Sequence, residues 1–486
     1  MDRLGVLSIL TLFFIFAILM AFMIPPGEAP DEPAHVNYVN FVAENLDLPN
    51  QYHHDKRILE GHQPPLYYLI GSVLNLLLNS DRVIHMNLAL NPRQRYEKGK
   101  FQENVPVYLH LVEPLYPGVV PLLNRRDDRF NFYVLRMLAV LFGAANILFV
   151  LKTAQLLVKD QTWSLVPAFL VATLPTFIFM SAVVNNDCMA NTLSTITIYY
   201  SFRTWLVPEK KSNFVLLGLA LGLALLAKKT TLVLVPPVAI ILAAGVFAHR
   251  STTGIKTLRG IISDRSQPKA RNGQGSESEI EAGPVSNPVL MSLISFIVAG
   301  AISGWWFLRN EFLYGDPLGT QMEMATIMLR ETSILSRDTL GAFLAQTYIS
   351  FTGLFGWGNI KLPHLIYLIH FTIFGICGIG FLLRLWRDRL RDMSLMFLLL
   401  YVMVAVAAFL YANNRFPHDH GRLLFPVLSV IAIQVALGAE YLLAFLRNDF
   451  LKRSLTQVVI VGLVLVDILS VIIIHQFYYH VQQYLK

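Results

Sequence analysis

The sequence predicts an all-α polytopic membrane protein with about 11 transmembrane helices, and three observations predict it. First, 55% of the 486 residues are hydrophobic and only 15% are charged, against roughly 25% charged in an ordinary soluble domain. The mean hydropathy of +0.52 agrees. Second, stretches of about 18–25 residues nearly free of charge recur along the chain, the length that crosses about 30 Å of hydrocarbon as helix. Third, basic residues gather in every second connecting loop, as the positive-inside rule demands. The formal charge of +7 therefore belongs to topology, and no nucleic-acid partner is expected. Two cysteines, Cys188 and Cys377, lie in or beside apolar stretches and exclude a disulfide scaffold.

The first apolar run, Val6–Ile24, is longer than a signal-peptide core and no small-residue cleavage site follows it, so it reads as a retained signal-anchor helix. Hydropathy places the later spans near 133–157, 163–182, 189–206, 213–227, 231–248, 287–307, 363–384, 393–411, 423–446 and 456–478. With the N-terminus cytoplasmic, the inner loops hold Lys159; Arg203, Lys210 and Lys211; Arg250, Lys256, Arg259, Arg265, Lys269 and Arg271; Arg384, Arg387, Arg389 and Arg391; and Arg447, Lys452 and Arg453. The C-terminus is then external, and the protein is multi-pass in the cell membrane.

Three loops exceed mere connectors. External loop 25–132 carries an expected amphipathic helix from His35 to Leu46 and a short apolar stretch, Leu66–Leu78. That stretch is too short to span and fits a helix at the membrane interface. External loop 308–362 ends in FTGLFGWGNIKLP. Cytoplasmic loop 249–286 is polar, Gly/Ser-rich and without apolar periodicity, so it reads as flexible and not catalytic. The whole chain, 1–486, reads as a single integral membrane domain.

Charges at the outer ends of spans are costly unless paired or useful, which singles out a small set. Asp31 and Glu32 emerge from the first span braced by Pro30 and Pro33. One carboxylate suits a general base and its neighbour suits orienting a substrate or holding a divalent cation. Capping the following helix is the alternative role for Asp31. His35, one helical turn on, is placed to orient Asp31 or to share a metal with it, the alternative being an interface residue of an amphipathic helix. Lys228 and Lys229 end one span, Arg309 and Asn310 follow Trp305-Trp306, and Arg422 opens another span. Cations at headgroup depth suit a phosphate. Asp187, after Asn185-Asn186, is either a further acidic site residue or a helix cap. His418-Asp419-His420 matches no strong metal-ligand spacing. Asp31, Asp187, Lys228, Arg309 and Arg422 all fall on the external side.

DEPAH after the first span, QPPLYYL at Gln63–Leu69, LALLAKKT, RNEFLYGDPLG and HGRLLFPVLSV, in that order, resemble motifs of the GT-C superfamily of membrane glycosyltransferases. That group includes protein mannosyltransferases and bacterial aminoarabinose transferases. The resemblance implies a polyprenyl-phosphate sugar donor, a lipid, glycan or protein acceptor, and inverting transfer at the external face. Carried onto this chain, it makes Asp31 the base, with Glu32 and Asp187 as further acidic candidates. Lys228 or Lys229, Arg309 and Arg422 become candidates for the donor phosphate, with His35 and Asn310 beside them. Some members use a divalent cation and others do not. A lipid-linked glycan ligase or polymerase is a chemically close alternative. A transporter or flippase of lipid-linked sugars, the rival from another class, predicts broken helices, mid-membrane charges and an internal repeat. No repeat is evident.

Overall fold

A computed structural model describes residues 3–50, 58–78, 83–86, 88–97, 100–108, 126–250, 287–322 and 329–480. The cytoplasmic loop expected at 249–286 lies almost entirely outside the described residues. Helix α1, Arg3–Met23, enters the bundle, and α2, Glu32–Asn45, and α3, Leu66–Leu78, follow in the 25–132 loop. They pack on each other, where the sequence predicts helices at His35–Leu46 and Leu66–Leu78. Helix α4, Arg126–Leu157, is the next long element, then come α5, Val166–Ala172, and α6, Pro175–Met180. Helices α7, Asp187–Leu206, α8, Lys211–Ala227, α9, Val235–Arg250, and α10, Pro288–Tyr314, form one half of the bundle. Helices α11, Arg337–Thr352, α12, His364–Arg387, α13, Met393–Asn413, α14, Leu428–Leu443, and α15, Asp449–His475, complete the chain.

Among the described residues, eight helical segments are long and apolar enough to cross a membrane. The other three expected spans are helical but differ for stated reasons. The 163–182 stretch breaks into α5 and α6 because Pro175 has no amide to continue the first helix and biases Leu174 to extended backbone. Helix α8 has only 17 residues. Helix α7 has 20 residues but a polar face. Its Thr192, Ser194, Thr195, Thr197 and Ser201 are buried against neighbouring helices instead of facing lipid. Ser194 and Thr197 donate to carbonyls one turn back, Thr192 reaches the Phe142 carbonyl at 2.7 Å, and Tyr401 donates to Ser201 at 2.9 Å. Thr195 Oγ1 has no partner among the described residues, but the other four hydroxyls, paired this way, suit a helix at the centre of a membrane bundle.

Helices α12 and α14 approach unusually closely. An added Cβ at Gly438 falls 1.8 Å from the Cys377 carbonyl oxygen, and one at Gly380 falls 2.6 Å from the Gly438 carbonyl. Small residues at such a crossing let backbones meet without a driving force from water.

The 25–132 loop meets the 308–362 loop. Two short ladders, β1 at Tyr96–Glu97 with β2 at Lys100–Phe101, and β3 at Leu354–Phe355 with β4 at Ile360–Lys361, mark their meeting. The Trp357 indole donates to the Gly27 carbonyl at 2.8 Å and Asn359 donates to Val105 at 2.8 Å. Lys361 pairs with Glu103. These ties hold the turn after α1 and the 103–105 segment against the 354–361 hairpin.

Candidate active site

Arg136 of α4 organises the turn that leads from α1 to α2. It is fully buried, and its Nη1 donates to the Ala21 and Ile24 carbonyls at 2.6 Å each. Its Nε and Nη2 form a two-pronged pair with Glu32 at 2.9 and 2.8 Å. Glu32 also accepts from the Gly27 amide at 3.0 Å and the Val184 amide at 2.9 Å. These four bonds occupy both Glu32 oxygens, and the side chain has no exposed surface. The sequence put Glu32 beside Asp31 as a catalytic partner; its surroundings make it an anchor closed to substrate. Arg136 itself was missed, although a lone arginine inside an apolar run is a legible signal.

With Glu32 drawn inward, Asp31 faces outward. Its backbone is left-handed, φ 61° and ψ 2°, a region aspartate enters more readily than most residues. It stands at the N-cap position of α2 but makes no side-chain cap bond, so the capping role falls away. Pro33 sets the first turn instead. The Asp31 side chain is 46% exposed, and its carboxylate lies 3.5 Å from Arg422.

Three further elements deliver the partners. Asp187 begins α7 and Lys228 ends α8 in extended backbone, φ −162°. Lys228 Nζ meets Asp187 at 2.6 Å, both side chains being about nine-tenths buried. Arg422 lies in the 3₁₀ turn Gly421–Val427 before α14. It reaches Asp187 at 3.8 Å with one guanidinium nitrogen and Asp31 with another. Two carboxylates and two cations from four elements thus share one place. His35 is their neighbour: it is 4% exposed and feels the charges of Asp31, Lys228, Asp187 and Arg422. Burial holds its imidazole down to about 4, against the upward pull of Asp31. It is neutral at pH 7.

Beside Arg422 opens a cleft lined by Pro30, Thr176, Met180, Ser350, Leu354 and His420. The 3.5 and 3.8 Å ion contacts of Arg422 are long for charge-assisted bonds, which leaves that guanidinium capacity for an anion.

Arg309 and Asn310 are not part of this group. Arg309 donates to the Leu48 and Pro49 carbonyls at 3.3 and 3.1 Å and stacks over Trp306, 5.1 Å from the ring centre. Asn310 is buried and donates to the Pro317 carbonyl. Arg309 binds the end of α10 to the Leu48–Pro49 segment, and Asn310 binds it to the turn that follows. Lys229 begins the turn Lys229–Leu234 and is half-buried; the partner of Asp187 is Lys228.

The described residues also fit a divalent cation poorly. No group of three or more His, Cys, Asp or Glu side chains is placed to hold a metal among them. The Asp187 carboxylate is occupied by Lys228 and Arg422, and Asp419 pairs with Arg330 instead of joining a His-Asp-His cluster.

A family model described as Dolichyl-phosphate-mannose-protein mannosyltransferase matches residues 128–262. ArnT from Cupriavidus metallidurans bound to undecaprenyl phosphate superposes with a TM-score of 0.51 at 11% identity, covering 98% of this chain and 75% of that one. The fold is GT-C. The Archaeoglobus fulgidus oligosaccharyltransferase in the apo form matches with a TM-score of 0.45 at 14% identity, over 98% of this chain and 56% of that one. Its relative AglB, complexed with an inhibitory peptide and a dolichol-phosphate, gives 0.46 at 13% identity. The chain spans about 56% of the archaeal enzyme's length. No curated protein matches the sequence. Within this GT-C fold, the family match begins at Asp128, eight residues before Arg136, and runs through Asp187 and Lys228.

Proposed function

We propose that this protein is a glycosyltransferase that moves a sugar from a polyprenyl-phosphate donor to a hydroxyl of a lipid, glycan or protein at the external membrane face. The observation that carries the reading is the shared position of Asp31, Asp187, Lys228 and Arg422. An anionic lipid-linked donor and a hydroxyl acceptor need this combination: cations for the phosphate and an accessible carboxylate for the proton. The dolichol-phosphate and undecaprenyl phosphate named with the two matched structures favour the same donor class.

In the proposed reaction the acceptor oxygen attacks the anomeric carbon as its proton passes to Asp31. The bond from that carbon to the phosphate oxygen breaks, and polyprenyl phosphate leaves with the electron pair. One displacement inverts the anomeric centre. Arg422 and Lys228 stabilise the charge growing on the leaving phosphate, a preorganised electrostatic contribution that is usually the largest in such sites. Asp187 holds both cations in place between turnovers. Glu32 and Arg136 keep the Asp31 turn rigid, and no metal step is required.

The test uses the purified protein in vesicles with mannosyl-phosphoundecaprenol as donor. Product should form with release of undecaprenyl phosphate, and Asp31→Asn should lower the rate at least about 100-fold. Arg422→Ala should weaken retention of undecaprenyl phosphate itself, measured without any acceptor. Chelation with EDTA should leave the rate unchanged. Full activity in Asp31→Asn, or complete loss with EDTA restored by a divalent cation, rejects the assignment as given.

A further inference from the structure

Tyr68 lies on α3, fully buried, its ring stacked on Tyr38 with centres 3.7 Å apart. Its hydroxyl meets two groups: His35 Nδ1 at 2.9 Å and the Asn186 side-chain nitrogen at 3.3 Å. The second partner of that nitrogen is the Ala227 carbonyl at 3.5 Å. A carbonyl oxygen only accepts, so the atom facing it is the amide NH₂ and not the amide oxygen. Asn186 therefore donates to Tyr68. A buried hydroxyl needs an acceptor of its own, and the acceptor within reach of Tyr68 is His35 Nδ1. The phenol proton goes there.

An imidazole that accepts at Nδ1 carries its own proton at Nε2. Nε2 has no bond within the protein among the described residues, and the charged neighbours of the ring are Asp31, Lys228, Asp187 and Arg422. We infer that Asn186 and Tyr68 fix His35 as the Nε2–H tautomer, and that this neutral donor binds an uncharged oxygen of the substrate, a sugar or acceptor hydroxyl. Two full cations stand beside it and take a phosphate in preference, which leaves the hydroxyl as its partner. With Nε2 already protonated, His35 cannot serve as the base, so that role stays with Asp31. Tyr68 and Asn186 act through His35 and are positioning residues. The substrate half of the inference rests on the transferase reading; the tautomer does not.

Two measurements separate them. In ¹⁵N-histidine spectra of the full chain in detergent, the resonance lost in His35→Gln should show a protonated Nε2 and an unprotonated Nδ1 at pH 7. In Tyr68→Phe that signal should move towards a mixture of tautomers. A protonated Nδ1, or a charged ring, overturns the inference even if no sugar transfer is ever detected. In the mannosyl-phosphoundecaprenol assay, His35→Gln places an amide N–H near the Nε2 position and should keep activity within about tenfold of wild type. His35→Asn and His35→Leu should lose about 100-fold. Equal behaviour of the Gln and Leu variants assigns His35 to packing alone and rejects the substrate contact. A raised KM for donor in His35→Gln assigns the contact to the donor sugar, and a raised KM for acceptor assigns it to the acceptor hydroxyl.

Discussion

Asp31 and Glu32 are chain neighbours with opposite surroundings, one 46% exposed beside Arg422 and the other closed around Arg136. Glu32→Gln leaves a buried guanidinium without its counter-charge, which typically costs about 3–5 kcal/mol. Thermal unfolding in detergent should show a large fall in Tm, and adding Arg136→Met should recover part of it. Asp31→Gly removes the left-handed strain of φ 61° and should hold or raise stability by about 1 kcal/mol or less while losing transfer. A second residue-scale effect comes from His35. Its folded-state value of about 4 lies below the ordinary 6.5 because of burial. Between those values the unfolded chain binds a proton that the native ring does not, so stability rises with pH across that window. Acidifying from pH 6.5 towards 4 should therefore remove stability on the order of 3 kcal/mol. His35→Gln should flatten this part of the profile; an unchanged slope would mean that other groups carry it. Asp31, Asp187, Lys228 and Arg422 were legible because charge at a span end is conspicuous. Tyr68 and Asn186 were not, because uncharged polar residues gain their meaning only from the partners that folding brings to them.

At the scale of elements, hydropathy located the long spans because each one must bury about 20 apolar residues against lipid or neighbours. It blurred the 163–182 stretch, where Pro175 splits an apolar run without changing its composition. It also says nothing of how α7, with five buried Ser and Thr side chains on its inner turns, comes to lie at the bundle centre. That placement depends on interhelical contacts that no single stretch contains. Close crossings are equally invisible. Gly438→Ala drives a Cβ into the Cys377 carbonyl at 1.8 Å, so α12 and α14 must separate. Overpacking of this kind costs about 1–3 kcal/mol. Gly462→Ala, on α15 with open space around its Cβ, is the control and should be neutral or slightly stabilising. Equal unfolding temperatures for the two variants would show that the crossing yields easily.

For the whole molecule, the question is which side of the membrane the charged cluster faces. The 96–101 and 354–361 hairpins are joined by Lys361 and Glu103, and Asp31, Asp187, Lys228 and Arg422 share one place. Arg384 pairs with Glu440 at 2.6 Å near the far ends of α12 and α14, among the arginines that the positive-inside rule assigns to the cytoplasm. Cys188 cannot report on this, because it is buried with its thiol bonded to the Met180 carbonyl at 2.9 Å. Single cysteines in a chain lacking the native pair can. Glu103 and Arg387 have side chains 57% and 59% exposed, so both replacements should be reachable from their own side. In intact cells a membrane-impermeant maleimide should label Glu103→Cys and leave Arg387→Cys untouched until the membrane is opened. The reverse pattern would put the carboxylates and cations in the cytoplasm, and the proposed donor would then have to present its sugar to the inner leaflet. Labelling of both positions before opening would show that the loops expected to alternate do not, and the span count would need revision around α5 and α6, each too short to cross alone.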